Sequence, residues 1–194
     1  MASKNPPNPV LFVYVDNSNV WIEGQRIQAV RQGLAVDLAD AQRRQVAAQW
    51  HYDFGRLYEL ACPSTAQVGR SILFGSRPPA DDSLWNIARR EGFEVITYDR
   101  NAANKEKQVD ISLSTKMMED SYEWMKVARQ DVAVLVGGDG DFVPTVKSLK
   151  RRGLGVRVVF WSHAVSRELR ESADEFVVLD PHFEALSRAA AEQA

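Results

Sequence analysis

The chain has 194 residues and a formal net charge of −2, with 45% hydrophobic and 26% charged residues. That length fits one domain with a real core, and that charge excludes a globally basic nucleic-acid binder, so any polyanion has to be held by a local patch or by a metal. The single cysteine, Cys62, excludes an internal disulfide and points to a reducing compartment, and the longest apolar runs are too short to span a bilayer, so the expected location is cytoplasmic with no membrane association.

Residues 1–9 carry three prolines and no apolar stretch, and read as a loose leader. Residues 10–15 form a continuous apolar run of the kind buried on both faces of a sheet. Residues 23–49 are rich in Gln, Arg and Ala, with Gly24 and Gly33 as breakers, and read as a loop plus a helix around 36–48, an insertion at about 23–50. Residues 53–60 form a helix that packs through Phe54, Leu57 and Leu60, with Asp53 as its cap. Strands follow at 67–74 and 93–98, separated by a helix over 82–90 with Leu84, Ile87 and Ala88 inward. A long helix spans 110–127, a strand 132–136, a helix 141–152 and a strand 156–161. A short helix at 166–171 and an extended segment at 176–179 come next. Pro181 opens a final helix to about residue 190, in the C-terminal stretch 181–194. Strands alternating with helices across short loops specify an α/β domain with a parallel sheet of five or more strands and right-handed crossovers.

Two apolar runs stop abruptly at carboxylates. One ends in Asp16-Asn17-Ser18-Asn19, the other in Gly137-Gly138-Asp139-Gly140-Asp141. Open α/β sheets bind ligands at the carboxyl ends of their strands, so these acids are site candidates. Asn17 and Ser18 are also ordinary turn formers. Asp141 is well placed to cap the next helix, whereas Asp139 has no evident local duty and is the better ligand. Asp110 opens the long helix, where a negative charge suits the helix dipole. Acids facing one crevice call for a hard cation, and a cation there suggests phosphate chemistry. Lys105 and Lys107, just before Asp110, are placed to meet phosphate. Arg26, Arg31, Arg43 and Arg44 lie in a segment that could fold over the crevice with positive charge. The cations of 147–152 sit near a helix C-terminus and read as a solvated face. Trp161 could stack a base, although packing is the more ordinary role. No Walker A sequence, Gly-rich dinucleotide loop or nucleophile elbow is present.

The stretches Val15-Asp16-Asn17-Ser18-Asn19, Lys107-Gln108-Val109-Asp110 and Val136-Gly137-Gly138-Asp139-Gly140-Asp141-Phe142-Val143-Pro144 resemble the NYN domain family. So do Lys150-Arg151-Arg152-Gly153-Leu154-Gly155-Val156 and the run from Ser166 to Phe176. The family is a LabA/DUF88-like branch of the PIN-like nucleases, and the resemblance covers roughly residues 10–180. It implies a PIN-like, Rossmannoid three-layer sandwich and RNA cleavage dependent on Mg²⁺ or Mn²⁺. Carried over by position, Asp16, Asp110 and Asp139 are the metal ligands and catalytic acids, with Asp141 a fourth acid. Asn19 is the polar residue beside them, and with Ser18, Lys105 and Lys107 from the residue reading it makes up the candidate substrate-binding set. Many family members carry another acid six positions after the one matching Asp110. Here that position is Lys116, which bears on whether a second metal binds.

The expected activity is therefore hydrolysis of RNA, single-stranded, by a metal-activated water, with a homodimer allowed. Two alternatives stay open: a catalytically weak or inactive NYN-type module that binds RNA or protein in a regulatory role, and a different metal-dependent phosphohydrolase. The second is disfavoured because Asn17-Ser18, not a further Asp two residues on, follows Asp16.

Overall fold

The computed structural model describes residues 8–77, 83–99 and 105–188. Its first strand, β1 (Val10–Asp16), buries all seven residues, which only a central strand covered on both faces can do. The chain continues through α1 (Asn17–Arg31), α2 (Leu38–Arg43), α3 (Phe54–Ala61), β2 (Gln67–Arg77), α4 (Ser83–Arg90) and β3 (Glu94–Asp99). The second half runs α5 (Lys105–Glu123), β4 (Val132–Val136), α6 (Val143–Arg151), β5 (Gly155–Phe160), α7 (Arg167–Ser172), β6 (Glu175–Val178) and α8 (Phe183–Leu186). The six strands are ordered β3-β2-β1-β4-β5-β6, and every pairing is parallel. The chain thus builds outward from β1 to β3, returns to β1, and builds outward the other way from β4. The carboxyl ends of β1 and β4 flank the point where that direction reverses, the place where such sheets open a crevice.

Alternation along β1 divides the core into two layers. Leu11, Val13 and Val15 face α1, α3, α4 and α8 through Val20, Phe54, Leu57, Trp85, Phe183 and Leu186. Val10, Phe12 and Tyr14 face α5 and α6 through Val109, Leu113, Met117, Val146 and Leu149. The expected three-layer α/β architecture is the observed one.

Local boundaries depart from the sequence reading in several places. Asp16-Asn17-Ser18-Asn19 is no free turn: Asp16 caps α1 by accepting a bond from Asn19 N–H, so the helix begins at once and the expected loop from Glu23 becomes helix to Arg31. The helix expected around 36–48 is only α2, six residues long, because Gln45 takes a positive φ of 54° just past its end. On α4 the buried residues are Trp85 and Ala88, while Leu84 is exposed. The final helix closes at Leu186, because Arg188 N–H donates to His51 O and Ser187 pairs with Tyr52, drawing the chain out straight. Residues 1–7 of the expected leader, and the C-terminal stretch from residue 189, lie outside the described residues.

The segment after α1 returns along it. Ala48 N–H donates to Gln25 O, and Trp21 Nε1 donates to Trp50 O. The Trp50 ring stacks on Phe183 with centroids 5.3 Å apart and covers Gly24. A Cβ at Gly24 would stand 2.0 Å from that ring, so only glycine allows α1 this close. Gly24→Ala is therefore expected to lower stability by about 1–3 kcal/mol, the usual cost of overpacking. Chemical denaturation of the two proteins measures it; an unchanged midpoint would mean that Trp50 does not seat on α1.

Candidate functional site

Asp16 is the last residue of β1, and its register partner on β2 is Phe74; Val15 pairs with Val136, the last residue of β4. From there Gly137 and Gly138 carry the chain across the strand ends to Asp139. Gly138 is held on both sides: its N–H donates to Asn19 Oδ1 at 3.2 Å, and its carbonyl accepts from Ser166 N–H. A Cβ there would lie 2.2 Å from the Phe160 ring, so glycine is required for this close approach. The Asn19 bond ties the start of α1 to the loop after β4 and thereby brings Asp16 and Asp139 to one cavity at the switch point.

Asp110 reaches the same place from α5. That helix starts at Lys105, so Asp110 stands in its second turn and not at its opening. The far end of α5 is pinned beneath the sheet by a buried network. Tyr14 O–H donates to Asp120 at 2.9 Å, and Arg70 Nη1 donates to the other Asp120 oxygen at 2.8 Å. Val109, Leu113 and Met117 seal the helix to the sheet, which presents Asp110 at the upper edge.

The result is a cavity of about 200 Å³ lined by Asp16, Asp110, Asp139, Ser18 and Asn19, together with Ile22, Glu23, Arg26, Ser76 and Val109. The three acids expected as metal ligands are brought together, as are Ser18 and Asn19. Asp141 is not: its side chain is exposed and does not line the cavity. The capping roles are also the reverse of the expected ones, since Asp139 accepts from Asp141 N–H at 2.9 Å and α6 begins at Val143 with Pro144 in its first turn. Lys105 and Lys107 fall in the first turn of α5, and their side chains lie outside the described residues. Trp161 is not a stacking platform: it is fully buried, donates to Val20 O, and packs edge-on against Trp50.

Sequence reasoning missed Glu23 as a wall residue. Ser18, Ile22 and Arg26 recur every four residues, with Asn19 and Glu23 beside the first two, so one face of α1 forms the wall. That spacing would have exposed the face had the helix been started at Asn17. Of the arginines in this segment Arg26 alone lines the cavity; Arg31 pairs with Glu184, and Arg43 and Arg44 with Asp40. Lys116 points away from the acids, to Glu119 at 3.0 Å and Asp120 at 3.5 Å.

Burial is the main force on Asp16, which is 4% exposed; the charges of Asp110 and Asp139 add to it and the Asn19 N–H bond opposes it, leaving its carboxyl pushed up to about 7. A buried carboxylate beside two others is a set of hard oxygen donors that a divalent cation would relieve of mutual repulsion. Among the described residues no three His, Cys, Asp or Glu side chains are already drawn together as metal ligands. Hard carboxylate oxygens are the donor type that suits a cation such as Mg²⁺, which keeps several of its waters.

The model of the NYN domain family matches residues 17–180. No curated protein matches the chain. Among solved structures, the crystal structure of a protein of unknown function from Vibrio parahaemolyticus superposes with a TM-score of 0.68 at 21% identity, covering 97% of this chain and 100% of its own. At that identity the likeness shows the fold alone. Among the described residues no helix is long and apolar enough to cross a membrane.

The raised Asp16 carboxyl has a consequence for stability. Its folded value lies above the ordinary 3.8, so the folded state holds this proton more tightly. The associated stability is present below about pH 4 and is lost as pH rises from about 4 to about 7. In metal-free protein, Asp16→Asn should remove that loss and gain at least about 1 kcal/mol on wild type between pH 5 and pH 8. Parallel thermal melts across this range measure it, and equal pH slopes would contradict the assignment. Lys116→Ala should leave any thermal shift produced by Mn²⁺ at the wild-type value, because this lysine faces Asp120; a changed shift would place it at the site.

Proposed function

From the NYN domain family, a branch of the PIN-like nucleases to which this chain belongs, we propose that the protein is a metal-dependent ribonuclease that hydrolyses phosphodiester bonds in single-stranded RNA. The observation that carries this reading is the convergence of Asp16, Asp110 and Asp139 from three separate elements on one cavity at the switch point of the sheet. Mg²⁺ or Mn²⁺ would be held by these three carboxylates, and when bound would supply positive charge to the phosphoryl oxygens and acidify a water.

The chain's own residues do the rest. Asp16 is restrained by its bond from Asn19 N–H, and Asp139 by its bond from Asp141 N–H, which limits how far either carboxylate has to move to meet a ligand. Asn19 uses its carbonyl oxygen on Gly138, which leaves its amide N–H groups to donate to a phosphate oxygen. Ser18, on the same helix turn, offers a hydroxyl. The exposed rim at Asp139 lets a chain enter from solvent, while Asp16 forms the floor.

The regulatory-module alternative drew its hint from Lys116. With that lysine engaged by Glu119 and Asp120, the cavity carries no lysine standing in for a cation among its described lining residues, and the nuclease reading is the better supported.

Cleavage of an end-labelled single-stranded RNA in Mn²⁺, Mg²⁺ or EDTA tests the proposal. Cutting should require the metal and be abolished by Asp139→Asn, while Asp141→Asn, outside the cavity, should stay near wild type. Metal-independent cutting, or full activity in a folded Asp139→Asn protein, would overturn it. A folded wild type that takes up metal and binds RNA without cutting it would favour the regulatory module.

A further inference from the structure

The cavity wall contains an acid and a base that the metal chemistry does not use. Arg26 is the one basic side chain among the described residues that line the cavity. It forms an ion pair with Glu23, one turn earlier on α1, through Nη1 and Oε1. The other Glu23 oxygen lies 3.1 Å from Nε2 of His163, on the loop after β5. The three side chains are partly buried, at 22% exposure for Arg26, 12% for Glu23 and 18% for His163. Glu23 thus has each oxygen engaged by a different neighbour, which makes it a poor fourth metal ligand and a good clamp. It joins α1 to a loop 140 residues away and fixes the guanidinium in one orientation.

We propose that Arg26 anchors a backbone phosphate of the RNA flanking the one at the carboxylates, and that Glu23 and His163 are positioning residues that hold it there. A guanidinium bonded through one nitrogen keeps further N–H donors in a planar fork that matches two phosphate oxygens. The described lining offers a polyanion no other fixed positive charge, and four acids would repel it. Arg26 stands two turns along α1 from Ser18, about 12 Å at the usual helical rise, and its side chain leans back toward the helix start. That offset suits a neighbouring phosphate better than the scissile one. The inference rests on the nuclease reading for its choice of ligand, an RNA strand.

The test separates the two. Binding of a fluorescently labelled single-stranded RNA is measured by anisotropy in EDTA, where cleavage is off, over a series of salt concentrations. Mn²⁺ uptake is read separately as a thermal shift. Arg26→Ala should weaken RNA binding about tenfold and lower the salt slope by about 0.7, the share of one phosphate contact on a single strand, while keeping the wild-type Mn²⁺ shift. Arg26→Lys should keep the salt slope and recover part of the affinity. Glu23→Gln and His163→Asn should weaken binding less than Arg26→Ala, with KM for cleavage raised and kcat retained. RNA binding by Arg26→Ala equal to wild type, no RNA binding by wild type in EDTA, or a loss confined to kcat would each overturn the anchor. Absence of any Mn²⁺ shift or cleavage in wild type would instead sink the nuclease reading, and an Arg26-dependent salt slope would then still stand. Melting curves of each variant establish folding, and Arg26→Lys carries the test should Arg26→Ala fail to fold.

Discussion

One carboxylate has two incompatible surroundings to satisfy. Asp16 ends the most buried strand of the sheet and is itself almost wholly buried, yet it is an acid placed beside two other acids. Its bond from Asn19 N–H supplies part of the answer by capping α1, which makes the carboxylate structurally useful. That bond does not cancel the cost of burial or of the neighbouring charges, and the carboxyl remains well above its ordinary range. A divalent cation would resolve the conflict, because it stabilises the ionised form that burial opposes. The tension at this residue is the kind of local inconsistency that folds tolerate at functional sites.

The rest of the molecule follows from seating that residue. Because Asp16 caps α1 directly, the helix leaves the sheet edge with no intervening loop, and one of its faces becomes the cavity wall. The opposite side of α1 is backed by Trp50, which stacks on Phe183 of α8. Asn17 points into this backing layer, where it accepts a 2.5 Å bond from the buried Tyr52 hydroxyl. The segment after α1 and the last described helix therefore brace the wall from behind. On the other face of the sheet, the Tyr14–Asp120–Arg70 network fixes α5, from which Asp110 lines the same cavity as the other acids.

Much of this was legible in the sequence. Unbroken apolar runs mark buried parallel strands, and the strand–helix alternation leaves few other topologies. The three acids expected from their positions, Asp16, Asp110 and Asp139, line one cavity. Asp141 was misread because capping preference is a local rule, and it does not say which of two aspartates two residues apart takes the role; the 3-10 turn after Gly138 gave it to Asp139. Glu23 was missed because the start of α1 depends on a hydrogen bond made by Asp16, not on apolar periodicity. Trp161 turns on tertiary partners, Val20 and Phe183, that no local pattern encodes, whereas the pairing of Lys116 with Glu119 and Asp120 is the ordinary spacing of neighbours on one helix.

The central claim is that Asp16, Asp110 and Asp139 hold one divalent cation between them. The most direct measurement is anomalous diffraction from crystals grown or soaked with Mn²⁺. The account predicts a single strong anomalous peak within bonding distance of carboxylate oxygens from all three residues, completed by water. A peak elsewhere with this cavity bare, or no ordered Mn²⁺ at saturating concentration, would contradict it.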